Sequence, residues 1–403
     1  MASRAVLFTL RRRCRESRTV TDKGKTLRSL CSGAPESDFV QDSKQNDDLK
    51  SRIFSLRLPK RSVANVLQRW VSEGNPINAS ELRQISKQLR KSRRYKHALE
   101  ISEWMVSNNE FELSESDYAI RINLMTKVFG IDAAERYFEG LPPAAKTSET
   151  YTALLHSYAG EKLTEKAEDL FARIKSSNLS FSVLAYNEMM TMYISVGQVE
   201  KVFSVVEELK RKNVTLDIFT YNLWASSCAA TLDIDKVRHI LDEMKTHPSS
   251  NECWVRYVNL ANIYITTSHL VNGDLNSIVA AEKGITQREW ITYDFLIILH
   301  AGLGNKERIN QVWKSLRMTN QKMTSRNYIC ILSSYLILGH MKEVEEVLDQ
   351  WKQSTSTNFD ASACSRLFSA FADVGFTEKA NNFHRLLIQK HSEPADLQSS
   401  SKV

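Results

Sequence analysis

Residues 183–217 read VLAYNEMMTMYISVGQVEKVFSVVEELKRKNVTLD, and the apolar pattern within them restarts once. Leu184, Met189, Met190, Tyr193 and Ile194 recur at helical spacing, Gly197 interrupts, and Val199, Val202, Phe203, Val206 and Leu209 then follow at intervals of three and four. Apolar residues so spaced fall on one side of an α-helix, so the stretch predicts two amphipathic helices joined by a short turn. Lys210, Arg211 and Lys212 place positive charge on the last turn of the second helix, where the dipole favours it, and Asn213 suits the cap.

The same unit recurs along the chain. Tyr118, Tyr151, Tyr186, Tyr221, Tyr257, Tyr293 and Tyr328 stand 33, 35, 35, 36, 36 and 35 residues apart, and the register extends to Leu82 upstream and Cys364 downstream. Sixteen residues after each of these anchors stand Ala98, Ala134, Ala167, Val202, Val237, Gly273, Ile309, Val344 and Ala380. All are small or β-branched, as a close crossing of two helices requires. Gly304, Gly339 and Gly375 supply further turns. One such hairpin cannot bury its apolar faces, so the units are expected to stack into a solenoid whose concave face carries function. Residues 60–77, with Val63, Val66, Leu67 and Trp70, predict an N-terminal capping helix, residues 78–390 about nine repeats, and residues 391–403 a disordered tail.

Charge is distributed unevenly. Of the 54 basic and 47 acidic residues, nine basic and two acidic lie in residues 1–30, leaving 45 of each in the remainder. The net charge of +7 therefore belongs to the opening segment, and the neutral body has no general attraction for phosphate. That segment is rich in Arg, Ser and Thr and lacks a long apolar run, which predicts a disordered transit peptide over residues 1–35, cleaved between about Leu30 and Pro35, with a linker over 36–59. The predicted destination is the mitochondrial matrix, and a plastid address shares much of this composition. No stretch has the roughly 18 uninterrupted apolar residues of a membrane-crossing helix, and Thr292 to Leu303 is interrupted by Asp294 and His300.

The unit around Tyr186 and Asn187, with its turn glycine, its Val-Glu-Lys-Val-Phe second helix and its closing Asp217, resembles a pentatricopeptide repeat of the P class found in plant mitochondria. The tryptophan, glycine and closing proline marks of tetratricopeptide repeats are missing. The resemblance covers roughly residues 78–390 and is best from Ser148 to Glu252. It implies an all-α fold, a right-handed superhelix of tandem two-helix repeats, that binds single-stranded RNA at about one base per repeat. In that family the residue after the anchor and the last residue of the repeat meet the base edge. Carried over, the pairs are Thr152 with Ser182, Asn187 with Asp217, and Asn222 with Glu252. Asn with Asp favours uridine, and Leu184 and Phe219 are expected to stack on either side of the base met by Asn187. Asn187 and Asp217 also suit a helix cap or turn.

Elsewhere the position after the anchor holds Arg83, Ala119, Val258, Asp294, Ile329 and Ser365, most of which cannot pair with a base in this way. The run Lys87, Arg90, Lys91, Arg93, Arg94 and Lys96 reads equally as a phosphate contact or a solvated helix end. An adaptor subunit of a mitochondrial ribonucleoprotein such as the mitoribosome, binding mainly protein, is the alternative that the neutral body favours.

Catalysis is not expected. There is no CxxC pair and no deaminase-type zinc signature, so no metal or other cofactor is predicted. Gly24, Lys25 and Thr26 lack the earlier glycine of a phosphate loop, since Thr19 stands there. Cys228, Cys253, Cys330 and Cys364 read as small core residues, and Trp104, Trp224, Trp254, Trp290, Trp313 and Trp351 as packing residues. The histidines are expected on solvated faces.

Overall fold

A computed structural model describes residues 48–56, 62–108, 111–177, 182–267, 280–319, 323–354 and 359–392, with only the helical backbone described for 280–290 and 390–392. The predicted transit peptide, and all but the first two residues of the predicted tail, lie outside these. Among the described residues there are nineteen α-helices and no strand. They are α1 (Leu49–Phe54), α2 (Val63–Ser72), α3 (Ala79–Lys91), α4 (Tyr95–Ser107), α5 (Glu115–Phe129), α6 (Ile131–Glu139), α7 (Ser148–Glu161), α8 (Thr164–Ser176), α9 (Val183–Val196) and α10 (Val199–Arg211). There follow α11 (Ile218–Ala230), α12 (Ile234–Thr246), α13 (Glu252–Thr267), α14 (Ala280–Gly302), α15 (Lys306–Arg317), α16 (Ser325–Leu338), α17 (Met341–Lys352), α18 (Ala361–Asp373) and α19 (Thr377–Ser392). None is long and apolar enough to cross a membrane among the residues described.

The described helices divide into two compact units, one ending at residue 189 and the other beginning at residue 190; the division falls inside α9. In the first unit α3 packs on α4, α5 on α6 and α7 on α8, while α4 on α5 and α5 on α7 join successive pairs. The predicted linker is not structureless. Leu49 and Ile53 of α1 are buried in one core with Leu67 of α2 and Leu82, Leu89 and Ala98 of the first hairpin. In the second unit α11 packs on α12, α16 on α17 and α18 on α19.

The ruler marks the core. Every described residue sixteen places after an anchor is at most 1% exposed, and Leu82, Tyr186, Tyr221, Tyr257, Tyr293, Tyr328 and Cys364 are buried beside them. Local signals set the helix starts. Ser114 with Asp117 and Thr147 with Thr150 form capping boxes, and Asp217, Asp233 and Asp360 cap α11, α12 and α18. The hairpin reversal falls eleven residues after the anchor in Arg93, Lys162, Gly197, Leu232, Gly304, Gly339 and Gly375, and each of these has positive φ. Glycine adopts that conformation freely, whereas an L side chain pays about 1–2 kcal/mol.

One region departs from simple stacking. Cys253 and Tyr257 near the start of α13 lie against Gly302 at the end of α14, while Tyr264 further along α13 meets Asp294, so the two helices run antiparallel. A Cβ at Gly302 would sit 2.9 Å from that of Tyr257, so only glycine permits this approach. The α13 helix also packs on α16 and α18, and α11 packs on α14. The expected second helix of the Tyr257 unit, with Gly273, falls in residues outside those described.

Not every histidine is solvated. His97 in α4 is buried and its Nδ1 accepts from Arg94 Nε at 3.1 Å. Arg94 is turned inward onto the carbonyls of Phe54, at 3.1 Å, and Leu56, and these contacts close α1 onto the first hairpin. His300 is half-buried, and desolvation, helped by the nearby Arg308 charge, lowers its pKa from 6.5 to about 4. The tryptophan reading holds at Trp254, Trp313 and Trp351, which are buried, and Cys228, Cys330 and Cys364 are buried free thiols.

Two predictions follow from the backbone and from His300. Leu232→Gly removes a left-handed leucine that is half exposed, and should stabilise the fold by about 0.5–1 kcal/mol once the extra flexibility of the unfolded chain is counted. An unchanged or lower melting midpoint would count against a strained turn. The unfolded His300 imidazole takes up a proton near 6.5 and the folded one only near 4. Stability is therefore lost as pH falls through that window, by at most about 3 kcal/mol. Melting curves of His300→Gln should show a shallower pH slope between 6.5 and 4 than the parent, and an equal slope would assign the loss to other groups.

Candidate nucleic-acid interface

The N-terminal turns of α11 and α13 come together in the second unit through a knot of rings. Tyr221 of α11 packs edge-on against Trp254 of α13 with centroids 5.6 Å apart, and Trp254 stacks on His247 at 4.6 Å. The Tyr221 hydroxyl donates to Glu243 Oε1 of α12 at 2.8 Å, which ties α11 to its own hairpin partner. With the anchors Tyr221 and Tyr257 buried, the residues two places before them face out. Phe219 is 46% exposed and Val255 is 50% exposed.

Between these two apolar faces in the register lies Asn222. It is only 3% exposed, and its Oδ1 accepts from the Tyr257 hydroxyl at 3.3 Å. Glu252, the last residue of the preceding repeat and the first of α13, is exposed and accepts from Arg256 Nη1 at 3.2 Å. Arg256 also donates through Nε to the Gly302 carbonyl at 3.1 Å. Asp217, one turn before Asn222, has its Oδ1 committed to the α11 cap, accepting from Thr220 N at 2.7 Å and Thr220 Oγ1 at 2.8 Å. The cap is what an aspartate at that position does locally.

The remaining predicted residues belong to the first unit. Asn187 is buried on α9 and Leu184 is 59% exposed at its start. Ser182 is half-buried just ahead of them, and Thr152 on α7 spends its hydroxyl on the Ser148 carbonyl at 2.7 Å. The structure thus brings Phe219, Asn222 and Glu252 to the facing ends of two helices and adds Val255. Val255 was legible in the sequence, because it stands two places before Tyr257 as Leu184 and Phe219 stand before Tyr186 and Tyr221. Among the described residues no group of His, Cys, Asp or Glu is arranged to hold a metal ion.

Models of the PPR repeat family match residues 181–230, of the pentatricopeptide repeat domain residues 148–195, and of the PPR repeat residues 219–248. A mitochondrial pentatricopeptide repeat-containing protein of Arabidopsis thaliana is 56% identical over 351 residues, 87% of this chain and 86% of that one. The chain belongs to the pentatricopeptide-repeat family. A second mitochondrial Arabidopsis thaliana member is 31% identical over 345 residues, 85% of this chain and 70% of its own length. The crystal structure of the maize pentatricopeptide repeat protein PPR10 aligns at 15% identity and a TM-score of 0.33, covering 82% of this chain and 52% of that chain, so the present chain spans about half of its length.

Within this pentatricopeptide-repeat array the position after the anchor is not equally accessible. Val258, Asp294 and Ile329 are at most 1% exposed. Asp294 is the most constrained: its carboxylate accepts from Tyr264 Oη at 2.8 Å and from Asn327 Nδ2 at 3.0 Å, and Arg326 Nε lies 3.2 Å away. Burial raises the Asp294 pKa, against the opposing pull of Arg326, Asn327 and Tyr264. In the first unit Arg83 closes onto Asp117, with Nη2 2.7 Å from Oδ2, and donates to the Glu112 carbonyl at 3.0 Å. These positions are occupied by the protein's own contacts.

Removing the Asp294 carboxylate leaves Arg326 buried without its counter-charge, a loss of about 3–5 kcal/mol for a buried pair. Asp294→Ala should therefore lower the melting midpoint sharply, and a variant as stable as the parent would show that the pair contributes nothing net.

Proposed function

We propose that this chain is a mitochondrial RNA-binding protein that holds single-stranded RNA without catalysing a reaction, acting in transcript processing, stability or translation by occupying or exposing a sequence. The observation that carries this reading is the row of exposed apolar side chains at one register position in three consecutive repeats, Leu184, Phe219 and Val255. Lone exposed apolar residues are ordinary on a protein surface, but one that recurs at the same register position in consecutive repeats offers each repeat an apolar platform for a base. Each platform is followed three residues later by an asparagine in the first two repeats, Asn187 and Asn222, whose amides supply both a donor and an acceptor.

In this reading Asn187 with Asp217 and Asn222 with Glu252 meet base edges, Phe219 and Val255 take the two faces of the base met by Asn222, and Thr152 with Ser182 serves the repeat before. The names of the two Arabidopsis thaliana relatives place those proteins in mitochondria, in keeping with the basic opening segment of this chain. A solved complex of PPR10 contains an 18-nucleotide RNA element.

A second reading, an adaptor subunit of a mitochondrial ribonucleoprotein, is favoured by the sealing of Val258, Asp294 and Ile329 and by the neutral body, which leave few repeats free to read bases. Sedimentation separates the two, because stable high-salt association with a ribosomal subunit belongs to the adaptor.

Selection from a random RNA pool with the full chain tests the first reading. Enrichment of a short sequence is expected, with a loss of about tenfold in affinity for Phe219→Ala or Val255→Ala, in line with roughly 1–3 kcal/mol per stacked base. A pool that emerges unenriched, or affinities indifferent to both substitutions, would remove RNA reading by these repeats.

A further inference from the structure

The phenol of Tyr257 is fully buried, and a buried hydroxyl must place its proton on an acceptor. The acceptor it has is Oδ1 of Asn222, 35 residues earlier and in the preceding repeat. Other tyrosines in this unit spend their hydroxyls differently: Tyr221 on Glu243, Tyr264 on Asp294 and Tyr335 on Asn310. Tyr257 thus reaches back to the residue that follows the previous anchor.

This bond has a directional consequence. A free asparagine amide turns over readily and offers a base either its carbonyl or its amino group. Asn222 is nearly buried and is tied by its oxygen, while its amino nitrogen takes no hydrogen bond to any described residue and is not among the sealed unpaired nitrogens. Turning the amide over would leave the buried phenol proton facing an amino group. The side chain is therefore held with N–H outward and C=O inward.

We propose that Tyr257 is a positioning residue that fixes the hydrogen-bond polarity of Asn222, so that this repeat selects a base with a carbonyl at pyrimidine C4 or purine C6, uracil or guanine, over one with an amine at that position, cytosine or adenine. The inference rests on the RNA-binding reading above. An N–H of Asn222 meets the carbonyl oxygen of a keto base as donor to acceptor, whereas the amine of an amino base sets donor against donor. Phe219 and Val255 present the apolar faces that hold the ring, and neither distinguishes one base from another.

The experiment is sequencing of random RNA selected by the full-length protein and by its Asn222→Ala, Tyr257→Phe and Asn222→Asp variants, each checked for folding by circular dichroism. Lack of any enrichment by the parent defeats the RNA-binding reading itself. Given enrichment, the nucleotide whose preference disappears in Asn222→Ala is the one read by this repeat. The parent should prefer a keto base there, and Tyr257→Phe should reduce that preference at least fivefold while leaving the other selected nucleotides as they were.

Asn222→Asp keeps an oxygen for the Tyr257 hydroxyl but turns a second acceptor outward, so it should invert the preference toward an amino base, and it serves alone should Tyr257→Phe not fold. A parent preference for an amino base at that nucleotide, a Tyr257→Phe preference within twofold of the parent, an Asn222→Asp variant that still favours a keto base, or an Asn222→Ala variant that leaves every preference intact would each overturn the assignment.

Discussion

Everything in this molecule depends on how closely the two helices of a hairpin approach each other. Each described residue sixteen places after an anchor sits at that crossing and is at most 1% exposed, and its size decides whether the anchor on the opposite helix can bury. Alanine, valine or isoleucine fits there, and a longer or charged side chain would force the helices apart. The chain must also reverse within a few residues, and the reversal places the eleventh residue after the anchor in the left-handed region in seven of the described turns, and the twelfth, Gly130, in the Tyr118 repeat. Glycine does this at no cost in five repeats, while Arg93, Lys162 and Leu232 do it against their own preference, so packing of the flanking helices overrides local backbone energetics there.

Burial of the anchor has a second effect. Because its ring points into the hairpin, the residue two places earlier faces solvent in the Tyr186, Tyr221 and Tyr257 repeats, and the residue one place later lies at the margin between core and surface. That marginal position is where chemistry diverges. Asn222 keeps one polar end inward and one outward, Arg83 folds onto Asp117, and Val258, Asp294 and Ile329 become core. The antiparallel contact of α13 with α14, which Gly302 alone permits, carries Tyr264 to Asp294 and turns a position of potential recognition into an internal polar knot. In the proposed reading packing and recognition compete for the same residues, and each repeat resolves the competition by what stands beside its anchor.

Electrostatics plays a smaller part than the overall charge suggests. The body carries equal numbers of acidic and basic residues, and several of its cations are already engaged, as Arg94 is with backbone carbonyls and Arg256 with Glu252 and Gly302. In the proposed reading, affinity for a strand comes from stacking on exposed apolar faces and from hydrogen bonds at half-sealed amides, which depend on salt far less than phosphate contacts do.

Sequence alone determined the all-helical repeat, its period, the crossing residues, the turn glycines and the register on which Phe219, Asn222 and Val255 are found. It did so because each of these is set by contacts within a hairpin or between successive hairpins, which repeat with the chain and leave a periodic trace. Tertiary structure decided what has no period. Such contacts include the inward turn of Arg94 and burial of His97, the closing of α1 onto the first hairpin, the Asp294–Arg326–Tyr264 knot, and the bond from Tyr257 to Asn222. Most of these join groups about 30 or more residues apart whose partners are fixed by helix orientation, and an amino-acid pattern read along the chain holds no record of which way a side chain turns once two helices have met.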